Sequence, residues 1–242
     1  MSEIHLSERL LAIAGLAEEA ERLADIGTDH AHIPIALALR GRLKHAIAMD
    51  INRGPLLRAE ENIALFGLSE KIETRLSDGA EALLPGEADT VVIAGMGGAL
   101  MVRILTDGAS QLAQTETLVL QPQSELSEFR KKLHALGYRV LKEDMVFEDG
   151  KYYPMMKVTH GKEEAWSETE YCYGRELIRT KHPVLSDYLQ KERANYESIL
   201  AGLQKRLTVE EEDSAAYVRI KHRSEEIEEA LKLNRMAEEE MQ

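Results

Sequence analysis

Cysteine is nearly missing from these 242 residues. Cys172 stands alone, so neither a disulfide framework nor a cysteine-built zinc site can form. Aromatic residues are sparse at 5%, which leaves aliphatic side chains to build the core, and the 44% hydrophobic fraction is ordinary for a globular chain. No apolar run approaches the roughly 18 residues that a membrane span needs, and no basic-then-apolar leader opens the sequence. A soluble, cytoplasmic chain is expected. Positive charge is also in deficit: 30 Lys and Arg face 43 Asp and Glu, for a net charge of -13. That excludes a protein coated in positive field, the usual footprint of nucleic-acid binding, but leaves room for a local basic patch. There is no internal repeat and no low-complexity tract.

What is present alternates. Leu6-Ser7-Glu8-Arg9-Leu10-Leu11 reads as a helix start. Ser7 can cap, Glu8 suits the first turn, and Leu6 with Leu11 has the spacing of a hydrophobic staple; the helix should reach about Ala20. A first strand is expected at 22–26 and a crossover helix at 33–41, with Pro34 in its first turn. A second strand follows over His45 to Asp50, and Asn52 is placed to cap a helix ending at Phe66-Gly67. Further strands at 72–76, 90–94 and 117–120 run into Ser77-Asp78-Gly79, Gly95-Met96-Gly97-Gly98 and Gln121-Pro122-Gln123. After a helix over 124–136, two β-rich runs at 138–147 and 152–159 flank the turn Glu148-Asp149-Gly150. Five strands alternating with helices and then a hairpin describe an α/β fold: a doubly wound, seven-stranded Rossmann-like sheet with an antiparallel edge, over 1–160.

From about Trp166 the strand-like runs vanish. Pro183 opens a helical pattern through Leu185, Leu189, Tyr196, Ile199, Leu203 and Leu207. Thr208-Val209-Glu210-Glu211 has capping-box spacing and opens another through Tyr217, Ile220, Ile227 and Leu231. The spacings of three and four predict a coiled-coil-like helical hairpin over 161–242, with a fraying tail from Ala237.

In such a sheet, ligands bind at the carboxyl ends of the strands, where each polar or glycine cluster falls. Leu23-Ala24-Asp25-Ile26-Gly27-Thr28-Asp29-His30-Ala31-His32 reads as strand, glycine turn and helix start. This arrangement is expected to bring a nucleotide-like ligand against open backbone N–H groups. Asp25 or Asp29 could face an ammonium or sulfonium charge. Asp50, roughly 20 residues on, sits where an acidic side chain takes ribose hydroxyls, and Asp78 where one receives an adenine amine. Each has a plainer reading: turn caps for Asp25 and Asp78, a helix-start residue for Asp50, a tight turn for Gly97-Gly98. His30 and His32 could be helix-start hydrogen-bonding groups, and Met96 a core side chain.

Together these segments, with Ala-Met-Asp-Ile-Asn at 48–52, Val-Ile-Ala-Gly-Met-Gly-Gly at 92–98 and Leu-Gln-Pro-Gln at 120–123, resemble the bacterial TrmK family. Tyr-Gly-Arg-Glu-Leu at 173–177 and Lys-His-Pro-Val-Leu at 181–185 extend the resemblance over nearly the whole chain. It implies a class I S-adenosylmethionine-dependent methyltransferase acting on N1 of adenine 22 in the tRNA D-arm. The cofactor would be S-adenosylmethionine, the partner tRNA, and the enzyme a monomer without metal. The implied cofactor-binding residues are Asp25, Gly27, Thr28, Asp50, Ile51, Asn52, Asp78, Gly79 and Ala94. The segment facing the target base is Ala94 to Gly98, with Gly95, Met96 and Gly97 as catalytic candidates.

Adenine N1 carries an in-plane lone pair and needs no prior deprotonation, so catalysis can rest on positioning. The methylated base is cationic, and Asp29 is the candidate to stabilise it, with His30 and then His32 behind. Because N1 lies on the Watson–Crick edge, the base must be extruded or unpaired first. The chain lacks the Asp/Asn-Pro-Pro-Tyr pattern of many amino-group methyltransferases, which favours the ring nitrogen. Candidate phosphate-binding clusters are Arg40, Arg42 and Lys44; Arg130, Lys131 and Lys132; Arg175, Arg179 and Lys181; Lys191 and Arg193; and Arg219, Lys221 and Arg223. Two rivals remain. A nicotinamide-dependent oxidoreductase would need Gly-x-Gly-x-x-Gly, where this chain has Gly27-Thr28-Asp29-His30. A non-catalytic scaffold would use the same fold only to support a partner-binding hairpin.

Overall fold

The computed structural model describes residues 4–204 and 215–236. The chain divides into two compact units, Met1–Glu164 and Ala165–Gln242.

The first unit begins with α1 (Glu8–Leu16), capped by the Ser7 hydroxyl, which accepts from the Leu10 N–H at 3.4 Å. The helix stops at Leu16 rather than Ala20, and Leu11 is left exposed. The elements then run β1 (Arg22–Ile26), α2 (His32–Leu39), β2 (His45–Asp50), α3 (Arg53–Leu65), β3 (Ile72–Leu76), β4 (Thr90–Met96) and α4 (Gly98–Asp107). They continue with α5 (Ala109–Leu112), β5 (Thr117–Pro122), α6 (Leu126–Ala135), β6 (Tyr138–Glu148) and β7 (Lys151–His160).

These strands form one seven-stranded sheet in the order β3-β2-β1-β4-β5-β7-β6. The first five are parallel, and β7 runs antiparallel to both β5 and β6. The central strands are buried on both faces by runs such as Val91-Val92-Ile93 and Leu118-Val119-Leu120, as a sheet covered by helices on each side requires. The edge strand β6 instead alternates inward and outward residues at its start. Strand order reverses between β1 and β4, and the crevice beyond their carboxyl ends is where such sheets take ligands.

Three local expectations change. Asn52 occupies the N-cap of α3, but its side chain makes no cap bond; instead its N–H donates to Asp50 Oδ1 at 2.7 Å. Strand β4 does not stop at Ala94 but continues to Met96 through a bulge at Gly95, whose φ of +77° suits glycine. Arg130, grouped by sequence with Lys131 and Lys132 as a phosphate-binding cluster, is 1% exposed and paired with the equally buried Glu143 at 2.9 Å. No phosphate can reach it.

The second unit opens with two short helices, α7 (Glu168–Tyr173) and α8 (Arg175–Arg179), which the sequence reading missed. Six and five residues are too few for a helical period to register, although Ser167 and Glu170 form a full capping box. The long helices α9 (Pro183–Gln204) and α10 (Ala215–Met236) follow and pack on each other. Leu185, Leu189, Ile227, Ala230 and Leu231 are buried, and Arg193 reaches Glu228 at 3.8 Å. The expected capping box at Thr208-Val209-Glu210-Glu211 and the tail from Ala237 lie outside the described residues.

Candidate active site

At the end of β1 the chain turns through Gly27, whose φ is +76°. Part of the turn's backbone is already committed. The N–H groups of Gly27 and Thr28 both donate to the Met49 carbonyl, at 2.8 and 2.9 Å, and the His32 N–H donates to the Asp29 carbonyl at 3.2 Å. Pro34, in the first turn of α2, has no N–H to give. These three donors are spent on the fold. His30 and Ala31 are both left-handed, with φ of 58° and 56°. For non-glycine residues that conformation costs about 1–2 kcal/mol each. The Asn62 amide helps to hold it by donating to the His30 carbonyl at 3.1 Å.

Carboxylates dominate what the turn presents. Asp25 is 4% exposed and accepts from the Thr28 hydroxyl at 2.6 Å. Burial pushes its carboxyl up to about 6, partly offset by the Thr28 bond, while the nearby Asp29 and Asp50 charges push the same way as burial. Burial also holds the His32 imidazole below its ordinary value, with Asp29 opposing, so it is neutral near pH 7. The His30 and His32 rings stack with centroids 5.4 Å apart.

A cavity of about 220 Å³ lies over this turn, walled by Arg9, Leu10, Asp25, Gly27, Asp29, His32, Ile33, Ala94, Gly95 and Gln123. The fold thus brings together Asp25, Gly27 and Asp29, at the end of β1, with Ala94 and Gly95, at the end of β4. His32 is a wall; His30 is not, and instead approaches the Asp29 carboxylate at 3.5 Å. Met96 lies over Gly27, where an added Cβ would fall 2.1 Å from its Cε. Gly97 caps α4, and Gly98 has the carbonyl of Ser124 where a Cβ would go, at 2.6 Å, so the tight-turn reading of that residue accounts for it.

A second cavity, of about 390 Å³, opens at the ends of β2 and β3 beside Ile51, Leu76, Ser77 and Asp78. Asp78 Oδ1 there accepts from Arg103 Nη2 at 3.2 Å. Asp50 ends the strand between β1 and β3, one of its oxygens taken by the Asn52 N–H. Gly79 follows Asp78 with φ of +56°, packed against Ile104. Thr28 is buried, its hydroxyl donating to Asp25.

Sequence reasoning missed Arg9 and Leu10 as walls of the site, and named Gln121 and Gln123 only as part of a strand-end cluster, without a role. Gln121 is fully buried: its Oε1 accepts from the Gly95 N–H at 3.1 Å and from Arg9 Nη1 at 3.4 Å, while its Nε2 donates to the Pro122 carbonyl. A glutamine at the end of an apolar strand was a readable signal. Arg9 carried none, because any arginine on a helix reads first as a solvated charge. Among the described residues no group of three or more His, Cys, Asp or Glu could hold a metal ion, and no helix is long and apolar enough to cross a membrane.

The arrangement suits a ligand with cationic groups at the β1 end and a nucleoside reaching toward β3. Residues 6–156 match the family model described as a methyltransferase domain. The chain is 38% identical over 165 residues to the tRNA (adenine(22)-N(1))-methyltransferase of Bacillus subtilis, covering 68% of this chain and 69% of that one. A Streptococcus pneumoniae protein crystallised with S-adenosyl-L-methionine superposes with a TM-score of 0.82 at 32% identity, covering 94% of this chain and 100% of that one. Mycoplasma capricolum TrmK, solved with S-adenosyl-homocysteine, gives a TM-score of 0.79 at 28% identity, over 94% of this chain and 98% of that one.

Proposed function

From the premise that this chain belongs to the TrmK family of tRNA (adenine(22)-N(1))-methyltransferases, we propose how its own residues move a methyl group from S-adenosylmethionine to N1 of adenine 22 in the tRNA D-arm. The observation that carries the reading is the convergence of Asp25, Gly27, Asp29 and Gly95 on one cavity, with Asp50 and Asp78 on the next two strand ends.

The donor set fits the cofactor. The ligand bears ammonium and sulfonium charges, and the turn faces it with Asp25 and Asp29. The missing Cβ of Gly27 makes room for the Met96 side chain. Asp50 has one oxygen left for ribose hydroxyls, with Ile51 and Asn52 beside it, while Asp78 and Gly79 serve the adenine end. When bound, S-adenosylmethionine supplies an electrophilic methyl whose C–S bond breaks with its electron pair left on sulfur.

The chain needs no base to start the transfer, since N1 attacks with its own lone pair. Its tasks are to hold the extruded base in line and to exclude water. Gly95, in the bulge fixed by Gln121, and the neighbouring Met96 and Gly97 form the side toward the base. Asp29, exposed at the cavity, answers the positive charge left on the ring, and the neutral His32 can accept the N6 proton whose loss relieves it. The partner is tRNA, met in the cytoplasm by a monomer.

Unmodified tRNA, labelled cofactor and reverse-transcription mapping test this directly. Label should enter tRNA and produce a new stop at adenine 22; no incorporation, or a stop elsewhere, overturns the reading. Asp29→Ala should lower the turnover number by about tenfold or more and also weaken cofactor binding, since the same carboxylate faces the ligand's cationic groups. Full turnover in that variant removes Asp29 from the mechanism.

A further inference from the structure

The methionine end of the cofactor carries a carboxylate as well as two cationic centres, and four backbone N–H groups around the cavity are already taken. The Gly27 and Thr28 N–H groups are both on Met49, that of His32 is on Asp29, and that of Gly95 is on Gln121. Asp25 and Asp29 would repel it. We propose that Arg9, on α1, is the receptor for the α-carboxylate of S-adenosylmethionine. This assignment rests on the reading of the site given above.

Arg9 is the one lysine or arginine among the cavity walls. Its guanidinium is placed in advance: Nη1 donates to Gln121 Oε1 at 3.4 Å, and the group lies over the Tyr153 ring, 5.6 Å from its centroid. Nη1 also stands 3.8 Å from where a Cβ on Gly95 would be, at the ligand face of the β4 bulge. Among the described residues it forms no ion pair. The nearby Glu148 carboxylate accepts from the Arg9 backbone N–H instead, at 3.4 Å. A guanidinium has five N–H donors in a planar fork matched to a carboxylate, and this one spends a single donor on the protein.

The signs then pair off. Two carboxylates and one guanidinium line the cavity, and the methionine end offers two cationic centres and one carboxylate. Gln121 links the parts, because the same oxygen that orients Arg9 also holds the Gly95 bulge on the side toward the base.

Binding calorimetry on the full chain tests this with two ligands, S-adenosylmethionine and its decarboxylated analogue. The analogue keeps adenosine, sulfonium and amine and lacks only the carboxylate. The native protein should prefer S-adenosylmethionine by about tenfold or more, the scale of one charge-assisted hydrogen-bonded pair. Arg9→Met should bind the two within about twofold of each other, losing affinity for S-adenosylmethionine alone. Arg9→Lys, which keeps the charge without the fork, should fall between. A native protein without the preference, or an Arg9→Met variant that retains it, overturns the assignment. So does unchanged cofactor affinity with a raised KM for tRNA, which would make Arg9 a phosphate contact. A native protein that binds neither ligand would sink the functional reading itself, a distinct result.

Discussion

Asp25 destabilises the free protein in a way that can be read out by pH. Its carboxyl lies at about 6 in the fold against an ordinary 3.8, because burial disfavours the charged form. The folded chain therefore holds that proton more tightly than the unfolded chain does. Stability from this group is full below about pH 3.8, falls as pH rises through the window up to about 6, and stays reduced above it. The difference is about 3 kcal/mol at most. Asp25→Asn keeps an acceptor for the Thr28 hydroxyl and removes the charge. Scanning fluorimetry should show the variant several degrees more stable than the native protein at about pH 8, with a much smaller gap at about pH 4.5. Calorimetry at the higher pH should show cofactor affinity down by about tenfold or more. Equal melting temperatures at both pH values would mean that the carboxylate is solvated after all. The same residue marks how far sequence alone could go. A carboxylate ending a buried apolar strand is visible in the order of residues, and so is its partner glycine. That Gly27 and Thr28 would give their N–H groups to Met49 depends on the neighbouring strand β2 and leaves no local trace.

Among the elements, the pairing of α6 with β6 shows what periodicity conceals. Arg130 heads a run of three basic residues on a helix, which read as a solvated face. The fold buries it against Glu143 with both side chains at 1% exposure or less. The bond to Glu143 runs from Nε as well as from Nη2, each at 2.9 Å. Removing one member of such a pair leaves an uncompensated buried charge and costs about 3–5 kcal/mol, while replacing both with apolar groups is often near neutral. Arg130→Met should lower stability by that amount in urea denaturation, and Arg130→Met with Glu143→Leu should recover most of it. A double variant as unstable as the single one would show that the pair stabilises the fold beyond satisfying its own charges. The class of sheet, by contrast, was legible because each strand is an apolar run stopped by glycine or carboxylate and helices alternate with the strands, which suits a doubly wound sheet; the order of its strands was not read from the sequence. The short helices α7 and α8 were not legible, since a capping box without a following period predicts only a turn.

At the scale of the whole molecule, a chain of net charge -13 must accept a polyanion, so the few exposed cations matter more than their number suggests. The second unit narrows the field. Arg175 is committed to Glu170, at 2.8 Å, and its guanidinium lies 5.0 Å from the Trp166 ring centroid, which ties it to the start of α7. Arg223 is likewise taken by Glu226 and Tyr173. Arg179 is 76% exposed, with only a 3.5 Å pairing to Glu176, and Lys181 follows it in a left-handed turn with φ of 53°. Lys181 is half-buried, and Arg179 sacrifices little by leaving Glu176, because surface ion pairs are worth about 0–1 kcal/mol. Arg179→Glu with Lys181→Glu should raise the KM for tRNA by about tenfold at low salt and reduce the slope of log KM against log salt by about 2, roughly one unit for each phosphate no longer neutralised. Cofactor affinity should not move, which separates weakened RNA binding from a damaged fold. An unchanged KM across the salt series would take this patch out of the interface and shift the search to Arg40 and Arg42, both exposed at the end of α2.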